Sequence, residues 1–159
     1  MKSRASNAAV SALAIAIAAG TLVVMLLSPP ESIDAVSQDG AVRLEGRGPS
    51  DVSVAIQPLS TVPGPISDIR GQAYGIVMTQ GKNPRPSQTF WTLTFIYDPS
   101  VTGDVSPWDL VVLRFDVDQA AWVARPAVVD AQQRTLTVDL EGDPTGMWAL
   151  GVAPSLSGV

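Results

Sequence analysis

From residue 50 onward the chain is written in short runs where apolar and polar residues alternate, broken by clusters of turn-forming residues. Successive side chains of a β-strand point to opposite faces, so a period of two specifies strands with one dry side and one wet side. In Phe90-Trp91-Thr92-Leu93-Thr94-Phe95-Ile96-Tyr97 the odd positions hold Trp, Leu, Phe and Tyr, and that side is expected to face a core. Leu136, Val138 and Leu140 alternate with Thr135, Thr137 and Asp139 in the same way. Val111, Leu113 and Phe115 are expected to be the dry side of their strand, opposite Arg114 and Asp116.

About seven strands follow from this reading. They are Val52 to Gln57, Gln72 to Thr79, Thr89 to Tyr97, Asp109 to Asp116, Ala120 to Arg125, Thr135 to Leu140 and Met147 to Val152. Asp98-Pro99, Thr102-Gly103-Asp104, Gly142-Asp143-Pro144 and Pro63-Gly64-Pro65 supply residues that start turns or accept positive φ. Asp116-Val117-Asp118-Gln119 predicts a tight hairpin that sets Phe115 against Trp122. Strands so closely spaced, with no helical period between them, predict an all-β fold, an antiparallel β-sandwich over residues 50–159.

The N-terminus follows another rule. Lys2 and Arg4 precede an uncharged run from Ala8 to Leu27, long enough as a helix to cross the roughly 30 Å hydrocarbon layer of a bilayer. The cations before it, and Glu31, Asp34 and Asp39 after it, predict an N-terminus in the cytoplasm and a C-terminal domain that is periplasmic or extracellular. The run exceeds the apolar core of a cleavable signal and no small-x-small site follows it, which favours an uncleaved signal anchor over residues 1–27. Gly20 and alanines 8, 9, 12, 16 and 19 give this helix a small-residue side, through which self-association is a further expectation. Residues 28–49 read as an extracytoplasmic linker with one short strand near Ala41 to Glu45.

Composition removes whole classes of function. Cysteine and histidine are both absent, which excludes disulfides, thiolate zinc sites, cysteine nucleophiles and the imidazole base of ordinary triads. The formal charge is -5, and setting aside the first 27 residues leaves eight basic against fifteen acidic side chains. Nucleic acid is therefore not an expected partner, since phosphate binding needs clustered cations. No cofactor is expected.

The runs Thr92 to Pro99, Leu113 to Asp116, Trp122, Val129-Asp130, Leu136 to Val138 and Trp148 to Val152 together resemble the immunoglobulin-like β-sandwich domains of bacterial exported and surface proteins. The resemblance covers roughly Tyr74 to Val152 and rests on framework positions. It implies the sandwich fold and an accessory or adhesive role.

Candidate sites are few. Asp98, Asp104 and Asp109 are only weak candidates for calcium, because aspartate is more often a turn-capping residue and no EF-hand spacing exists. Trp108, beside Pro107, is the tryptophan that strand alternation does not claim, and it is a candidate contact for a protein or a glycan. Pro84, Arg85 and Pro86 form a stiff loop that a partner can read in extended form. The chain is thus expected to be a non-catalytic envelope protein that binds or positions another envelope protein or an envelope glycan. A carbohydrate-binding or adhesive module is the alternative, and an envelope hydrolase built on paired carboxylates is the least expected.

Overall fold

The computed structural model describes residues 31–48, 52–80 and 90–152. These residues form ten strands: β1 Glu31–Val36, β2 Val42–Gly48, β3 Val52–Pro58, β4 Ile69–Gln80, β5 Phe90–Ile96, β6 Leu110–Asp116, β7 Ala121–Arg125, β8 Val128–Asp130, β9 Thr135–Glu141 and β10 Gly146–Val152. One sheet runs in the order β1-β2-β5-β9-β8 and the other β3-β4-β10-β6-β7. Every neighbouring pair is antiparallel. The fold class is therefore all-β, in two five-stranded sheets.

Each of the seven expected strands is present within a few residues of its expected ends. Strands β1 and β8 are additional, β2 contains most of the short strand expected near Ala41 to Glu45, and β1 and β2 together occupy most of the stretch read as a linker. In β2, Arg43, Glu45 and Arg47 point outward while Val42 and Leu44 are fully buried, so this strand has one wet side and one side in the core. The compact unit begins at Glu31.

The core lies between the sheets. Val42, Leu44, Trp91, Leu93, Phe95, Leu136, Val138 and Leu140 from the first sheet meet Ile56, Tyr74, Ile76, Leu110, Val112, Trp148 and Leu150 from the second. Burying each such aliphatic or aromatic side chain stabilises the fold by roughly 1.5–3 kcal/mol before chain entropy is counted. The Trp91 ring lies over Gly46 on the neighbouring strand, where any Cβ would overlap it. Trp148 donates its indole N–H to the Pro144 carbonyl at 3.0 Å, and Arg114 lies over its ring at 5.1 Å.

That last contact corrects the faces expected for β6. Leu110, Val112 and Arg114 share the side of the core, and Leu113 and Phe115 point away from it. Leu113 is nonetheless buried, because the connection at residues 59–68 folds back over the outer face of this sheet. Asp68 accepts from the Val152 N–H at 2.8 Å, Pro63 accepts from the Trp122 indole at 2.9 Å, and Gly64 sits against Phe115 and Trp122. A strand covered on both sides has no single dry face, so alternation alone could not choose between them.

Two hairpins are built alike. Asp116 caps the turn 117–120 by accepting from the N–H groups of Asp118 and Gln119, and Asp130 does the same for Gln132 and Gln133. Each turn ends on a residue with positive φ, Ala120 at 49° and Arg134 at 55°. The first hairpin places Phe115 opposite Trp122, the expected register, with the rings edge to face at 5.3 Å.

Candidate functional site

The pairing of the strands gives the sandwich two poles. Glu31 lies opposite Gly48 and Phe90 opposite Glu141, while Val42 pairs with Phe95 and Ile96 with Thr135 at the other end of that sheet. The short connection from Glu141 to Gly146 ties the start of β10 to the Glu31 pole, so Val152, Leu110 and Ile69 end the second sheet at the opposite pole. The segment from Tyr97 to Asp109 crosses between the sheets there.

This crossing is held by caps. Asp98 accepts from the Ser100 N–H at 2.8 Å and starts a helical turn at Pro99–Thr102. That hydrogen bond to the backbone is the main reason its carboxyl titrates below the ordinary range. Ser106 receives the Trp108 N–H at 3.4 Å and starts a 3₁₀ turn at Pro107–Asp109. Proline opens both turns, where its missing N–H costs no hydrogen bond. Alternation cannot register such short helical pieces.

On this framework the Trp108 side chain is 71% exposed. Trp91 and Trp148 are core residues and Trp122 is half-buried under residues 59–68. Ile66 and Val101, exposed at 61% and 52%, come to the same pole: Ile66 accepts the Ile69 N–H at 3.1 Å, and Val101 covers Gly71. Neither stood out in the sequence, because each is a lone apolar residue in a turn and has no periodic neighbours.

Asp98, Asp104 and Asp109 follow one another along the crossing. Among the described residues, no three His, Cys, Asp or Glu side chains are grouped so as to hold a metal ion. Asp98 serves the turn instead. Pro84, Arg85 and Pro86 lie outside the described residues, as does the apolar run 8–27. Among the described residues, no helix is long and apolar enough to cross a membrane.

A polar cluster that sequence reasoning missed joins the two sheets near this pole. Asp39, in the β1-β2 turn, accepts from the Tyr74 hydroxyl at 2.6 Å, from the Ser37 hydroxyl at 2.7 Å and from the Ala41 N–H at 3.1 Å. Burial opposes the Asp39 charge, but these hydrogen bonds outweigh it and hold the carboxyl below its ordinary 3.8. Burial, then the bond to Asp39, pushes the Tyr74 hydroxyl well above its ordinary value. The pairing spans 35 positions, a separation that leaves no local signal.

The outer face of the first sheet is polar. Arg43 makes two hydrogen bonds to Asp34, at 2.9 and 2.7 Å, and also faces Glu45 at 3.1 Å. Thr92 donates to Asp139 at 3.0 Å on the same face. Strand β1, an edge of the sheet, thus carries charge that discourages further strand pairing. Compared with known proteins, the chain matches no family model, no curated protein and no solved structure.

Proposed function

We propose that this chain is a single-pass envelope protein whose immunoglobulin-like sandwich binds or positions another envelope component without catalysing a reaction. The apolar run 8–27, with Lys2 and Arg4 ahead of it, acts as the signal anchor and leaves the sandwich outside the cytoplasmic membrane. The observation that carries the binding role is Trp108, an exposed indole on a capped turn. An exposed tryptophan on a fixed backbone offers a large contact area at little entropic cost, which is why tryptophan is enriched at binding hot spots.

Glycan binding would rest on one ring. Phe90, the other strongly exposed aromatic among the described residues, begins β5 at the Glu31 pole, so the two do not form a shelf.

Crosslinking and recovery from native membranes tests the reading, using the full-length protein and a version in which a cleavable signal replaces residues 1–27. Both are expected to recover the same envelope protein. Recovery of glycan alone, or of nothing but the chain itself, overturns it.

A further inference from the structure

Resting on that reading, we infer that the pole carrying Trp108, Val101 and Ile66 is the docking surface, and that its partner is a protein segment presenting an apolar side chain flanked by Lys or Arg. The three residues come from two connections, the crossing from Tyr97 to Asp109 and residues 59–68, that three neighbouring strands bring together. Trp108 stands two positions ahead of β6, whose Leu110 pairs with Val152 of β10, and Gly151 of β10 pairs with Ile69 of β4. Ile69 holds Ile66 through its N–H, and a Cβ on Gly71 of β4 would stand 3.0 Å from Val101 Cγ1. Strands β4 and β6 flank β10, so about 10 Å separates their ends, the span of one protruding side chain and its neighbours.

Charge selects the partner. Asp68, Asp98, Asp104 and Asp109 lie on the same connections. Two cations share this end: Arg70 turns its guanidinium onto the Ser67 and Ile69 carbonyls, and Arg134 helps to lower the Asp98 carboxyl, which leaves the four carboxylates in excess. An apolar patch inside an acidic rim attracts a cationic segment and repels an anionic lipid surface, and opposite charge at a rim acts mainly on specificity and encounter rate. The caps at Asp98 and Ser106 fix the crossing before any partner arrives, which lowers the ordering cost of binding.

The test is a fluorescence titration of the full-length protein in phosphatidylcholine nanodiscs. The probes are a peptide of alternating lysine and leucine, its counterpart of alternating glutamate and leucine, and phosphatidylglycerol vesicles. The lysine peptide is expected to blue-shift the emission of the wild type and not of Trp108→Phe. Its affinity should fall roughly fivefold in the double variant Asp104→Asn, Asp109→Asn, and fall again as salt rises. An equal response to the glutamate peptide, a response confined to vesicles, an unchanged response in Trp108→Phe, or none at all overturns the inference. If crosslinking from membranes recovers the same envelope protein with wild type and with the double variant Trp108→Ser, Val101→Ser, the pole assignment falls and the proposed function stands. If the wild type recovers none, the proposed function falls first.

Discussion

At the scale of single residues, this chain repeatedly uses aspartate to fix backbone. Asp116 and Asp130 each satisfy two N–H groups of their hairpins, so Asp116→Ala and Asp130→Ala should each cost about 1 kcal/mol in urea unfolding. Ala120 holds positive φ at the end of the first hairpin, and left-handed backbone costs a side-chain-bearing residue about 1–2 kcal/mol. Ala120→Gly should therefore stabilise the fold by up to about 1 kcal/mol, glycine's greater freedom in the unfolded chain offsetting the rest. Asp39 acts over a longer range. Because its carboxyl titrates below 3.8 in the folded state, the stability it contributes is present above that value and is lost as pH falls through the folded-state value. Asp39→Asn should cost about 1 kcal/mol at neutral pH, with the gap to wild type closing as unfolding is followed from pH 5 down to about 2. A gap that stays constant with pH would refute the Asp39 to Tyr74 link.

Among the elements, β2 and β5 show how tightly neighbours are matched. The Trp91 ring fills the space that a side chain on Gly46 would occupy, so Gly46→Ala should destabilise by about 3 kcal/mol through overpacking. Trp91→Phe removes the overlapping ring, so the two changes together should cost less than their sum, and a double-mutant cycle in denaturant reads the difference directly. Strand β6 illustrates the limit of pattern reading. Its run Leu110-Val111-Val112-Leu113 is apolar on both sides because one side meets the core and the other meets residues 59–68. A period-two rule needs one wet side, and here the connection supplies a second dry one.

For the whole molecule, the boundary of the sandwich is the property most open to direct test. A chain starting at Glu31 should unfold cooperatively, whereas one starting at Ser50 loses Val42 and Leu44 from the core centre and should not hold native tertiary structure, as near-ultraviolet circular dichroism would show. The sequence by itself determined the all-β class, seven of the strands and a short piece of β2, the dry sides of β5 and β9, and the pairing of Phe115 with Trp122. All of these depend on neighbours along the chain or across one turn, and local alternation and turn chemistry carry that information. It also singled out Trp108, through the absence of any strand pattern to claim it. Only the tertiary structure decided that residues 31–48 belong to the sandwich, that Arg114 lies over Trp148 rather than in water, and that Tyr74 reaches Asp39. The same is true of the pole where Ile66, Val101 and Trp108 converge. The physical reason is common to all four: each depends on which distant segment supplies the opposing surface, and a side chain's own neighbours in sequence do not encode that choice.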